Sequence, residues 1–213
     1  MFNISNVSVS KTVESKYVKP LSIDYTQNGV KKRWDLIQTH SSVSIIIFNT
    51  SRKVLVFVKQ FRPAVWYNSI PFQDRSNPID TEKYPASLGI TLELCAGIID
   101  KDKSIEEIAR EEVLEECGYD VPLKNLKQIK KYRGAVGFAG EQQTLFYAEV
   151  TDDMKVGGGG GLQGEGEFIE VVEMSLTEAK VFFFEEDTVN VPPGCLCAVF
   201  WFFVNVAPNL TAQ

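Results

Sequence analysis

Apolar and polar positions along this chain fall into two rhythms, the two-residue repeat of strands and the longer period of helices. Near the N-terminus, "VSVSKTV" (residues 7–13) and "YVKPLSIDYTQNGVKKRWDLIQTH" (residues 17–40) run in alternating or β-branched residues and predict strands. Gln27-Asn28-Gly29 divides the second into a hairpin, because Asn-Gly tolerates positive φ. "SIIIFN" and "KVLVFVKQF" are more continuously apolar and predict a second, buried hairpin. From Trp66 to Ala86 the chain is rich in Pro, Asn and Asp and reads as a long loop or insertion. "ITLELCAG" is a short strand, and "LKQIKKYRGAV", "QQTLFYAEV" and "FIEVVEMSL" are further strands. "VGGGGGLQGEGE" reads as a flexible loop. "CLCAVFWFFVNVAP" is too short an apolar run to span a bilayer comfortably and predicts a buried helix.

Two segments carry the start signal of a helix, a serine followed three residues later by a glutamate: Ser104 with Glu107, and Ser175 with Glu178. The order β-rich, helix, β-rich, helix, helix predicts an α+β fold or an α/β/α sandwich.

The helix after Ser104 holds six glutamates: Glu106, Glu107, Glu111, Glu112, Glu115 and Glu116. Like charges three or four residues apart weaken a helix, so the pattern needs a reason. On a helical wheel, Glu116 lies about 40° to one side of Glu112 and Glu115 about 60° to the other. The apolar Ile105, Ile108, Ala109 and Val113 occupy the same side as Glu112 and Glu116. Glu106 and Glu107 fit a solvated face, the usual fate of acidic residues. Glu112 and Glu116 point toward the core, where an unpaired carboxylate costs several kcal/mol. No Lys or Arg of the helix meets them there. Clustered oxygen ligands suit a hard cation, Mg²⁺ or Mn²⁺.

Composition narrows the classes. The chain has 213 residues with a net charge of -6, which argues against a basic nucleic-acid surface and against adhesion to anionic membranes. A metal ion still permits an anionic substrate. The four cysteines form no Cys-x-x-Cys pair and no disulfide framework, so a reducing, cytoplasmic setting is expected. The start shows no secretory signal. His40, the single histidine, lacks partners for a metal or triad role, and the glycine run lacks the Lys-Ser/Thr ending of a P-loop.

The segment from Gly97 to Gly118 resembles the signature of the Nudix hydrolases, G-x5-E-x7-R-E-U-x-E-E-x-G-U, with Gly97, Glu112, Val113, Glu115, Glu116 and Gly118 at the matching spacing. Two positions depart: Lys103 stands where the family has Glu, and Glu111 where it has Arg. In the family these two side chains commonly pair, so a charge-reversed Lys103–Glu111 pair is expected. "VKQFRPAV", "LELCAG" and "GEGEFIEV" resemble the branch that acts on ADP-ribose and nucleoside diphosphate sugars, and this likeness covers nearly the whole chain.

The resemblance implies an α+β fold, the Nudix α/β/α sandwich with mixed sheets and an N-terminal β extension. Residues 1–42 would be the β extension, serving dimerisation, and residues 43–213 the hydrolase domain. The implied reaction is Mg²⁺-dependent hydrolysis of a nucleoside diphosphate sugar, UDP-glucose giving UMP and glucose 1-phosphate. ADP-ribose giving AMP and ribose 5-phosphate is the alternative; a non-catalytic nucleotide-binding module is another, which Lys103 and Glu111 favour and the intact glutamates oppose. The acidic charge argues against an mRNA cap as substrate. By analogy Glu112, Glu115, Glu116, Glu167 and the carbonyl of Ala96 hold the metal, Glu165 is the general base on a closing glycine-rich loop, and Glu116 is shared with catalysis. Arg62 and, more weakly, Arg133 are candidates for the diphosphate, Glu93 for a sugar hydroxyl. Tyr17, Trp66 and Phe138 are candidates to stack on the base. Arg62 and Glu93 are each equally readable as strand-end ion pairs.

Overall fold

The computed structural model describes residues 2–10, 15–75 and 78–210. Two antiparallel hairpins open the fold as their sequences predict. Strands β1 (Lys19–Gln27) and β2 (Val30–Gln38) pair in register around Asn28 and Gly29, which take φ of 53° and 79°. Strand β3 (Ser42–Asn49) is buried from Val43 to Asn49 and β4 (Val54–Phe61) from Leu55 to Val58, which explains their continuous apolar runs.

The second hairpin is a V. β3 and β4 pair only next to their turn, over Ile47–Asn49 and Val54–Val56. They then diverge, and the stretch read as one strand, "ITLELCAG", fills the opening as two. β5 (Ile90–Glu93) takes the free edge of β4, and β6 (Cys95–Ile98) the free edge of β3, with the switch at Leu94. β7 (Leu126–Arg133), β8 (Gln142–Val150) and β9 (Ile169–Ser175) complete the seven-stranded mixed sheet, β8 lying parallel to β3.

Helices cover both faces. On one side α2 (Ile105–Cys117) buries Ile108, Ala109 and Val113 against Val43, Ile45, Val56 and Phe146. On the other, α3 (Leu176–Phe184) and α4 (Pro193–Asn205) pack Phe183, Ala198, Val199 and Phe202 on Ile46, Phe48, Leu55 and Phe57. Both capping boxes form: Ser104 Oγ accepts from Glu107 N at 3.2 Å, and Ser175 Oγ from Glu178 N at 3.2 Å. A last turn, α5 (Ala207–Leu210), follows α4. No helix among the described residues is long and apolar enough to cross a membrane. All four cysteines are free thiols, and only Cys197 is exposed.

Two expectations need correction. The segment read as loop from Trp66 begins inside a helix, α1 (Pro63–Ser69), with Pro63 in its first turn. Proline there punctuates a helix start, because the missing N–H has no helical partner anyway. The strand expected over residues 7–13 is absent from residues 7–10, and 11–14 lie outside the described residues. Instead Ile4 and Val7 pack against the cluster of Trp66, Ile70 and Ile79.

Candidate active site

A cavity of about 500 Å³ opens in the mouth of the V, between the start of β3 and the end of β4. That is an ordinary volume for a small-molecule site. Glu112 and Glu116 enter it from α2, Glu165 and Glu167 from the loop before β9, and Tyr17 from the N-terminal segment.

The helix places its acids as the wheel requires. Glu116 is only 5 % exposed. Its single hydrogen bond from the backbone is donated by Ala96 N to Oε2, at 3.0 Å. Burial, with the charges of Glu112 and Glu167 adding to it, pushes the carboxyl up to about 8 against the partial relief of the Ala96 N–H. Glu112 is pushed up to about 7, again by burial first and then by Glu115, with Lys101 opposing. These are carboxylates held together without enough positive charge to keep them ionised. The donors are hard oxygens. Hard oxygen donors suit Mg²⁺, which keeps several waters in its shell; among the described residues no three acidic, His or Cys groups are drawn into a ready-made cage.

The glycine run does not hang free. Gly160 N donates to Glu116 O at 2.9 Å and Gly161 N to Glu115 O at 3.1 Å; Lys155 Nζ donates to Cys117 O at 2.7 Å. With Gly118 N on Leu114 O at 3.0 Å, the last four carbonyls of α2 all have donors. The loop is the C-terminal cap of the acidic helix. A Cβ on Gly159 would stand 2.3 Å from Glu116 O, and one on Gly118 2.2 Å from Gly157 O. Glycine is what lets the two segments touch. This cap sets Glu165 and Glu167 in the cavity wall. Leu162 N donates to Glu167 Oε2 at 3.1 Å and orients it further.

Lys103 and Glu111 form the reversed pair, Lys103 Nζ donating to Glu111 Oε1, with Lys101 Nζ 3.6 Å from Oε2. The loop before α2 is thereby tied to its middle. Gly97 lies under Glu112: an added Cβ would come within 2.1 Å of that carboxyl group.

Arg62 and Glu93 realise the ion-pair reading. Arg62 Nε and Nη2 each donate to a Glu93 oxygen at 2.7 Å, and Thr91 Oγ1 donates to the same carboxylate at 2.5 Å. Both still line the cavity, and Nη1 of Arg62 stays outside the fork. Glu115 and Arg133 are not in the cavity wall. Glu115 acts on Glu112 electrostatically, and Arg133 Nη1 donates to Gly140 O at 3.0 Å. Trp66 is buried with Nε1 on Tyr84 O, a packing residue. Phe138 lies under the first hairpin, its carbonyl accepting from Ile37 N. The cavity wall also holds residues that local pattern does not single out: Ser44, Tyr132, Gln143 and Gly194. Ser44 sits inside an apolar run, and the others belong to elements that meet only in the fold.

No protein-family model matches the sequence. Individual relatives do. Over its full length the chain is 43 % identical to the full-length uridine diphosphate glucose pyrophosphatase NUDT14 of Bos taurus. It is 41 % identical to the protein of that name from Mus musculus, again over the whole of both chains. A GDP-mannose pyrophosphatase of Citrobacter koseri is 28 % identical over 76 % of this chain and 75 % of that protein. With the altered but recognisable box, the sandwich and its acidic cavity, this likeness along the entire chain shows that it belongs to the Nudix hydrolases, enzymes that cleave diphosphate linkages.

Proposed function

We propose that the chain is a Mg²⁺-dependent, cytoplasmic nucleoside-diphosphate-sugar diphosphatase that converts UDP-glucose to UMP and glucose 1-phosphate. The observation that carries it is the gathering of buried Glu116 and half-buried Glu112, neither in an ion pair among the described residues, in one cavity with Glu165 and Glu167. A protein gains nothing from such crowding unless a cation joins it. The names of the two full-length relatives favour the uridine sugar over ADP-ribose.

Glu112 and Glu116, helped by Glu167 and the carbonyl of Ala96, would hold the cation, with Glu115 adding its charge from outside the cavity wall. A divalent cation, when bound, neutralises diphosphate charge and makes a water molecule more acidic. Glu165 takes the proton of the attacking water. Glu93 holds Arg62 in a fixed plane so that its remaining N–H groups meet a phosphoryl oxygen. Tyr17, about half exposed at the cavity edge, offers a ring face to the base.

The test is release of UMP from UDP-glucose, scored beside ADP-ribose and GDP-mannose. Activity should need Mg²⁺ and vanish with chelator. Glu165→Gln should lower kcat by about 100-fold or more, the usual contribution of a general base, and Glu116→Gln should raise the Mg²⁺ requirement. Nucleotide binding without turnover under any of these conditions would sink the reading in favour of a binding module.

A further inference from the structure

The cavity wall carries two chemically different sets of side chains. One is the four glutamates with the Arg62–Glu93 fork. The other is a group of uncharged polar side chains beside the first turn of α4. On the sheet face that α4 covers, β3 reads Ser42, Ser44, Ile46, Phe48 at alternate positions. The apolar pair packs under the body of the helix, and the hydroxyl pair lines the cavity near its start. Ser44 is 7 % exposed, and its Oγ and the buried hydroxyl of Tyr132 lie close to one another, with no partner at full hydrogen-bond geometry for either. Tyr132 pairs across the sheet with Gln143, and an added Cβ on Gly194 would meet Tyr132 Oη at 2.3 Å and Gln143 Oε1 at 3.2 Å. α4 begins at Pro193 behind Pro192, neither of which has an N–H, and Cys195 N and Leu196 N both donate to Pro192 O, so Gly194 N is the backbone donor its first turn leaves for the same place.

Buried hydroxyls without partners are costly, and a native structure keeps them for a reason. The donor–acceptor character decides what answers them. A phosphate wants donors and positive charge, and no Lys or Arg belongs to this set. Ser, Tyr and Gln side chains each both donate and accept. That mixture matches a row of hydroxyl groups, which also do both.

We propose that Ser44, Tyr132, Gln143 and the start of α4 form the glycosyl subsite, binding the hydroxyl groups of a hexose while the acidic set takes the diphosphate. The inference rests on the sugar-nucleotide reading above, and it assigns these residues to substrate choice and not to bond cleavage.

Two measurements test it. The first compares kcat/KM for UDP-glucose and for the methyl ester of UDP, which has the diphosphate linkage but no sugar. In Ser44→Ala and in Tyr132→Phe the preference for UDP-glucose should fall about tenfold, the effect of one lost hydrogen bond of moderate strength. An unchanged preference overturns the subsite. The second uses saturation-transfer NMR on UDP-glucose in chelator, where no turnover occurs. Saturation should reach the glucosyl protons in the unaltered protein and weaken in both variants. A glucosyl signal as strong in the variants overturns the subsite even if the protein hydrolyses neither compound, so failure of the diphosphatase reading is seen separately.

Discussion

Single residues set the electrostatic character of this molecule. Glu112 and Glu116 have an ordinary carboxyl value of 4.5 in the unfolded chain and are raised to about 7 and about 8 in the folded one. Between those limits the native state holds protons that the unfolded state has lost, so their contribution to stability is present below about pH 4.5 and is lost as pH rises through 7 and 8. In chelator, thermal denaturation should therefore show Tm falling from pH 5.5 to pH 8.5. Mg²⁺ should restore Tm most at the alkaline end, because cation binding needs the protons gone. A metal-free Tm that climbs over this range would show that the two carboxyls are not held as described. Lys103 and Glu111 allow a second test at this scale. Lys103→Glu puts two carboxylates together and should lower Tm; adding Glu111→Lys should recover most of the loss, and a double variant no better than the single one would mean that the pair does not couple.

Elements turn those side chains into a site, and the glycine-rich cap is the clearest instance. Gly159 has φ of 71° and its Cα lies against Glu116 O, whereas Gly158 has open space around it. Gly159→Ala should cost about 1–3 kcal/mol in denaturant titrations, the range for a side chain forced into the left-handed region, and should lower kcat with it by displacing Glu165. Gly158→Ala should be nearly neutral in both. Equal effects would make the run a plain linker. The same element shows where sequence reading stops. The α2 helix, its capping box, the inward face of Glu112 and Glu116 and the Asn28-Gly29 turn were all readable, because each depends on residues within a turn or two of one another. The pairing of Arg62 with Glu93, the break at Leu94 and the docking of glycines on a helix end depend on segments some 30 to 45 residues apart. No periodicity encodes them. Ser44 was invisible for a related reason: a small polar residue in a buried strand gains meaning only from what faces it.

At the scale of the whole molecule, the first hairpin is the unfinished part. β1 and β2 form a sheet of their own, and bonds from Ile37 N to Phe138 O and from Trp34 Nε1 to Gly137 O join them to the body. Leu21, Ile23, Val30 and Trp34 are each about half exposed. A two-stranded ribbon is marginal in water, and apolar residues gathered on one projecting element mark a contact surface. We propose that residues 1–42 serve dimerisation by covering this ribbon with a second copy of the chain. Light scattering after size exclusion, at micromolar concentration, should give the mass of two chains. Ile23→Asp with Trp34→Asp should give the mass of one and speed proteolysis at the Asn28-Gly29 turn, since the ribbon then has nothing to lie against. Mass of a single chain for the unaltered protein would leave the ribbon's apolar residues serving the monomer alone.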